Sequence, residues 1–344
     1  MTTTSTVQRA ESGPWANPGA DLVLRADAPR EQWLAARRLG IGGSDASVIA
    51  GVGYGSRYAL WLDKTGRAPE ERVTEQMRWG TLMEPVLRQV FTEDTGLVVH
   101  RRGLMRSKTH PFQQVSLDGN VGDGGIFESK TTNWRLKDQW DDDQVSDHAE
   151  VQVQHGLAVT GRSHAHVVAL IDGSNFQVRR VERDDHFIAL LTEMEEEFWT
   201  RYVVGDTEPP VDAAALPAIK TRWALVERDL TVADTELVAP LLADFRAAKA
   251  AIKAAQEQAD LLEAQVRELI GSGEVLVAGG LAWATCVANG TFGLRRFTAE
   301  HPDLAAALTT KPAFDLDRVK TEHPDLYATY RARVLRPMTT PKEI

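Results

Sequence analysis

Residues 116–132, SLDGNVGDGGIFESKTT, constrain the fold more than any other stretch of the chain. Short β-type runs lie on both sides of the Gly-rich stretch GNVGDGG, which signals a turn, so the segment reads as strand, turn, strand. In a strand Glu128 and Lys130 lie two apart and share a face, and a hairpin closing at the Gly-rich turn brings Asp118 beside them. Asp and Glu supply the hard oxygen ligands that Mg2+ or Mn2+ takes, and a neighbouring Lys can orient or help deprotonate a water held by such an ion. This is equipment for phosphodiester hydrolysis. A surface hairpin with a weak Glu–Lys pair, worth at most about 1 kcal/mol, fits the same short string, so its surroundings must decide.

Those surroundings read as α/β. The segment RWGTLMEPVLRQVFTEDTG predicts an amphipathic helix closed by Gly96, with Leu82, Val86, Leu87, Val90 and Phe91 as its apolar face. A second helix is expected over 147–161, then a hairpin of HAHVVALI and FQVRRVER, then a helix over DDHFIALLTEMEEEFWTRYVVG. Helices alternating with strands predict a mixed sheet flanked by helices. Residues 1–28, rich in Thr, Ser, Gly and Pro, are expected to form a mobile arm, and 209–217 a linker.

Beyond it, Val238, Phe245, Ile252, Ala259 and Val266 recur every seven residues, with Leu241, Ala248, Ala255, Leu262 and Leu269 three places later. This is an a/d heptad over about 232–271, fitting either a coiled coil or a long helix packed on its own domain, with a bend at Pro240. A hairpin turned at Gly279 and Gly280 should follow, and the two EHPDL repeats read as two short helix starts.

At 344 residues the chain suggests one large domain plus an appendage, and 43% hydrophobic with 26% charged residues excludes global disorder. The lone Cys286 excludes an internal disulfide and a CxxC zinc ribbon, and fits a reducing compartment. No run of eighteen apolar residues and no signal-peptide pattern appears, so a soluble, non-secreted protein with no membrane association is expected. A net charge of -10 excludes a globally basic nucleic-acid coat but not a local basic groove. Arg101, Arg102, Arg106 and Lys108 form the densest basic cluster in this part, readable as phosphate contacts or as a solvated face. His164 and His166 share a strand face, but no third ligand stands at zinc-like spacing, so they read as ordinary packing or surface histidines.

In order along the chain stand Arg37 to Ser47 (R-x6-S with GGSDAS), LWLDKTG, Gly80 to Pro85 (G-x3-EP), SLDG, ESKTT, QVQ with VTG at 152–161, and FW at 198–199. With these pieces the sequence resembles, from about Trp33 to Pro210, the lambda-exonuclease-like or YqaJ-type viral recombinases, a branch of the PD-(D/E)XK nucleases. The resemblance implies a PD-(D/E)XK restriction-endonuclease-like α/β core over residues 29–212. An extension over 213–344, with the heptad helix, a small hairpin and two short helices, would follow it.

It further implies that Asp118, Glu128 and Glu84 hold the metal, Lys130 positions the attacking water, and Gln152 belongs to the catalytic set. Arg37 and Ser44 match positions that hold phosphate near the 5′ end of DNA. The residues themselves fit that role, because GGSDAS joins close backbone approach to a hydroxyl. Where the family commonly has Tyr three residues before Gln152, this chain has Ala149. The implied activity is a Mg2+- or Mn2+-dependent 5′-to-3′ exonuclease on linear duplex DNA, releasing 5′ mononucleotides and leaving 3′ overhangs. Its expected setting is phage or prophage recombination in the bacterial cytoplasm, with a single-strand annealing partner and a ring-shaped homo-oligomer. A structure-specific endonuclease on the same core, or a non-catalytic DNA-binding or assembly protein, are the alternatives.

Overall fold

Strands between Val99 and Glu182 build the sheet that carries the candidate site, and helices on either side of it bury its two faces. The computed structural model describes residues 13–68, 74–223, 234–288, 290–310, 313–331 and 334–343. The chain divides into two compact units, residues 1–227 and 228–344.

In chain order the first unit contains β1 (Ala20–Leu24), α1 (Arg30–Arg37), α2 (Gly43–Ile49), α3 (Arg57–Lys64), α4 (Glu75–Thr95), β2 (Val99–His100), β3 (Leu104–Ser107), β4 (Gln114–Ser116), β5 (Gly119–Val121) and β6 (Ile126–Thr132). It continues with α5 (Asp147–Thr160), β7 (His164–Ile171), β8 (Asn175–Glu182), α6 (Asp185–Glu197) and α7 (Leu216–Arg222). The central sheet has the order β2-β5-β6-β7-β8, antiparallel except for the parallel pair β6 and β7, which α5 connects. A smaller sheet has the order β1-β3-β4.

The pleat divides the apolar residues between two layers. On one face Ile126, Val167 and Ala169 meet Val153 and Leu157 of α5, and on the other Phe127 and Val168 meet Leu87 and Phe91 of α4. Each of these buried Val, Leu, Ile and Phe side chains contributes about 1.5–3 kcal/mol relative to exposure. The first unit is therefore a mixed α/β fold with a central mixed sheet flanked by helices. Among the described residues no helix is long and apolar enough to cross a membrane.

Several expectations need correction. Residues 13–28 of the expected arm are ordered into the fold: β1 pairs antiparallel with β3, and the Trp15 ring stacks on His100 at 4.0 Å between centroids. Gly19 lies so close to α5 that a Cβ would come 2.8 Å from the Val159 carbonyl oxygen. Residues 1–12 lie outside the described set. In α4 the buried line is Leu87 and Phe91 with Met83 packed beside them, at four-residue spacing, whereas Leu82 and Val86 are about half exposed. The expected linker is anchored to the first unit through Ala215, fully buried in a cluster with Tyr58 and Trp61, although most of its other residues are exposed. Arg222 of α7 donates to the Tyr58 hydroxyl.

The second unit begins with α8 (Thr235–Ile270), which continues through Pro240, and with the hairpin β9 (Val275–Ala278) and β10 (Leu281–Val287). Gly279 and Gly280 form its turn at φ 58° and 76°, conformations that favour glycine. Of the heptad residues Val266 packs against this hairpin, while Phe245, Ile252 and Leu262 are exposed. Both EHPDL repeats start helices with Pro at the first turn, α10 (Pro302–Leu308) and α12 (Pro324–Thr329), and α9 (Leu294–Glu300) and α11 (Leu316–Glu322) precede them. Four short helices thus stand where two were expected.

Candidate active site

The alternation of β6 turns Glu128 and Lys130 to one face, and the register of β5 on β6 sets Asp118 next to their strand. Asp118 Oδ2 accepts the Ser129 main-chain N–H at 2.8 Å and the Ser129 hydroxyl at 2.6 Å. Lys130 Nζ donates both to Glu128 Oε1 and to Oε1 of Gln152 on α5. With that oxygen committed, the Gln152 NH2 faces His148 Nε2 at 2.9 Å, so this ring nitrogen is the unprotonated acceptor. Burial and the Lys130 charge pull His148 down to about 4, which keeps the ring neutral. The exposed Tyr54 ring tilts over His148 at 4.7 Å between centroids.

Glu84 reaches the same place from α4. It pairs with Arg88 at 2.7 Å and lies 3.8 Å from Arg101. Pro85, inside α4, has no N–H to give the Thr81 carbonyl, and Thr81 lines the depression that Glu84, Asp118, Glu128, Ser129 and Lys130 share. Burial pushes Glu128 up to about 7, with Asp118 and Glu84 adding to the rise and Lys130 opposing it. Glu84 is likewise raised by burial and by the Asp118 charge, against Arg88 and Arg101.

Glu128 and Gln152 also line a second depression together with Trp33, Arg37, Gly42, Gly43 and Ser44. Gly43 permits the approach of α2 to α5, since a Cβ there would come 3.3 Å from the Gln152 carbonyl oxygen. Arg37 donates to the Ser44 hydroxyl and lies 3.3 Å from Asp45. Asp45, which sequence reasoning missed, organises this corner: it accepts the Gly42 N–H at 2.9 Å and pairs with the buried Lys64 at 2.6 Å. Its place three residues after Gly42, at the start of a helix, is a capping signal in the sequence. The structure thus brings together Glu84, Asp118, Glu128, Lys130 and Gln152, with Arg37 and Ser44 adjoining.

The basic cluster does not act as one surface. Arg101 faces Glu84, whereas Arg102 donates to the Trp15 carbonyl at 2.8 Å and Lys108 to the Pro18 carbonyl at 2.9 Å. Arg106 sits in β3 opposite Asp21 and Gln114. Arg102 and Lys108 therefore bind the N-terminal segment, a use that no local charge count could reveal. The third partner of His164 and His166 was missed: with Asp123 their ligand atoms all lie within 4.8 Å of one another. The third member stands in a turn about forty residues upstream of the histidines and is invisible to local spacing.

Fold and site define an α/β protein with a carboxylate–lysine cluster beside the strand pair β5 and β6 and a second, arginine-bearing depression next to it. Residues 32–163 match the model of the YqaJ-like viral recombinase domain. The chain is 33% identical over 297 residues to an uncharacterized protein, YqaJ, of Bacillus subtilis (strain 168), covering 82% of this chain and 92% of that one. It belongs to the YqaJ-like viral recombinase family. Among solved structures it is similar to an alkaline exonuclease (LHK-Exo) from Laribacter hongkongensis, at TM-score 0.43 and 24% identity, covering 51% of this chain and 93% of that one. A phage-related exonuclease from Haemophilus somnus 129PT gives TM-score 0.38 and 10% identity, covering 51% and 99%.

Proposed function

We propose that the protein is a divalent-metal-dependent deoxyribonuclease that degrades one strand of linear duplex DNA from its 5′ end. The observation that carries this reading is that Glu128 lines two adjoining depressions, one with Glu84, Asp118 and Lys130 and the other with Arg37 and Ser44. The carboxylate set fits a hard dication, Mg2+ or Mn2+, because burial, together with the neighbouring carboxylates, raises Glu128 and Glu84, and a bound cation favours their charged forms. Asp118, Glu128 and Glu84 would hold it. When bound, such an ion polarises the scissile phosphate and stabilises the charge on the departing 3′ oxygen.

The chain's own residues do the positioning. Lys130, held by Glu128 and Gln152, presents its ammonium where an attacking water would be oriented. Arg37 and Ser44 would seat a terminal 5′ phosphate by charge-assisted hydrogen bonds. Because Glu128 lines both depressions, a terminus seated there would bring the next phosphodiester toward the carboxylate cluster, which supports 5′ mononucleotides as the product and a 3′ single-stranded overhang as the residue. Arg101, beside Glu84, and the remaining cations at 102, 106 and 108 are secondary in this reading. Membership in a viral recombinase family supports a role in phage or prophage recombination in the cytoplasm of a bacterial host, with a single-strand annealing partner and a ring-shaped homo-oligomer around DNA.

Incubation with end-labelled linear duplex and with closed circular plasmid, in Mg2+ or EDTA, tests the proposal. Mg2+-dependent release of labelled mononucleotide from the linear substrate, with the circle intact, is expected. Nicking of the circle would make the protein an endonuclease, and binding without hydrolysis a DNA-binding protein.

A further inference from the structure

His164 and His166 lie at the start of β7, two apart, so both rings project on the face that α4 covers. His166 packs on Phe91 at 5.2 Å between ring centroids, while the intervening Ala165 belongs to the core under α5. The turn between β5 and β6 runs Gly122, Asp123, Gly124, Gly125. Asp123 uses Oδ1 to accept the Gly125 N–H at 3.0 Å, an internal bond that leaves Oδ2 aimed away from the turn. That oxygen meets His164 Nε2 at 3.1 Å and His166 Nε2 at 2.8 Å. Gly125 is what lets the ring of His164 in, since a Cβ there would come 2.6 Å from His164 Nε2.

We propose that Asp123, His164 and His166 form a second metal site, for a borderline transition dication such as Zn2+ or Co2+, using none of the carboxylates of the candidate active site. Two imidazole nitrogens and one carboxylate oxygen are the donor set of such ions rather than of Mg2+ or Ca2+. Bonds of about 2.0–2.1 Å in a tetrahedral shell put neighbouring donor atoms roughly 3.3–3.4 Å apart, a shift of a few tenths of an ångström from the two oxygen–nitrogen separations here, with the two ring nitrogens within 4.8 Å of each other. The ring of His164 is already oriented from behind, because its Nδ1 meets the Ser163 hydroxyl at 3.0 Å, as the outer partners of metal-bound imidazoles commonly do. Entry is open on the Asp123 side, whose side chain is 24% exposed against 5% and 10% for the two histidines.

One cation competes for the site. Arg180 Nη1 lies 3.8 Å from Asp123 Oδ2, but its side chain is half exposed and its Nε is held by Glu182 at 2.6 Å, so it can withdraw as the dication enters. A bound ion would tie the turn before β6 to the first residues of β7. It would thereby clamp the ends of the parallel pair from which Glu128 and Lys130 project.

The test does not depend on nuclease activity, so it stands or falls separately from the proposed function. Chelator-stripped full-length protein is titrated with Co2+ in a large excess of Mg2+, which fills hard oxygen sites, and binding is followed by visible absorption and by the melting temperature. One equivalent of Co2+ should bind, with a raised melting temperature. His166→Gln and Asp123→Asn should each weaken binding at least about tenfold, while Glu128→Gln leaves it unchanged. Should either variant fail to fold, X-ray absorption on the Co2+-loaded wild type is expected to show two imidazole ligands. Absence of binding overturns the proposal, as does an equivalent lost in Glu128→Gln but kept in His166→Gln, or a spectrum without imidazole. The group is then only a hydrogen-bonded clamp.

Discussion

Asp118 accepts two hydrogen bonds from Ser129, one from its main-chain N–H at 2.8 Å and one from its hydroxyl at 2.6 Å. The residue between Glu128 and Lys130 thus holds the third member of the cluster, so one strand aligns all three. Ser129→Ala removes the hydroxyl bond and keeps the amide bond. It should lower turnover roughly tenfold, the equivalent of one net hydrogen bond, with little change in melting temperature. Turnover equal to wild type would mean that the amide alone fixes Asp118.

Arg37 and Ser44 touch each other beside Glu128. If they seat a terminal phosphate, a 5′-phosphorylated duplex should be degraded faster than a 5′-hydroxyl duplex by about 10–100-fold, the worth of a charge-assisted hydrogen bond. Arg37→Ala should erase the difference. Equal wild-type rates on the two ends would leave Arg37 and Ser44 as a structural corner built around Asp45.

The Gln152 amide has the correct polarity toward Lys130 because His148 Nε2 accepts from its NH2 group. His148→Phe keeps a ring under Tyr54 and removes the acceptor. It should reduce kcat by roughly tenfold with KM nearly unchanged, and His148→Gln, which again offers an acceptor, should recover part of the loss. A fall in kcat accompanied by a raised KM and a lower melting temperature would point to lost structure instead.

Stability should depend on pH through His155 of α5, fully buried with Glu195 of α6 at 2.8 Å. Burial pulls its imidazole down, but the Glu195 charge and hydrogen bond, with the Gln114 carbonyl on the other nitrogen, hold it above the ordinary 6.5. A raised folded-state value means that this contribution is full below about pH 6.5 and is lost as pH rises through the folded-state value. Melting temperature should therefore fall with rising pH more steeply in wild type than in His155→Gln. Glu195→Ala, which strands the imidazolium, should cost about 3–5 kcal/mol. Parallel slopes in wild type and His155→Gln would rule this pair out as the source.

What was legible in the sequence is what local patterning controls. Alternation put Glu128 and Lys130 on one face of β6, and Gly96 at φ 73° ended α4 where the pattern broke. Pro302 and Pro324 start helices, as a Pro followed by an acidic residue in each EHPDL repeat suggested. What stayed hidden depends on partners distant in the chain. Composition made 13–28 look like an arm, yet β1 finds β3 more than eighty residues later. Arg102 and Lys108 looked like one basic patch until that segment's carbonyls took them. In α4 the apolar residues outnumber those the sheet can cover, so Leu82 and Val86 stay exposed while Leu87 and Phe91 pack. Asp123 could not be matched to His164 and His166 because a turn, not a spacing, brings them together.

The most direct test of the Asp118, Glu128 and Lys130 assignment is single-turnover hydrolysis of a 5′-phosphorylated linear duplex in Mg2+, with wild type compared against each single alanine variant and Glu128→Ala/Lys130→Ala. Residues serving one reaction centre act non-additively, so each single substitution should abolish hydrolysis and the double variant should be no worse, all with wild-type melting temperatures and retained DNA binding. A rate close to wild type in any one of the single variants would contradict the assignment of this cluster to hydrolysis.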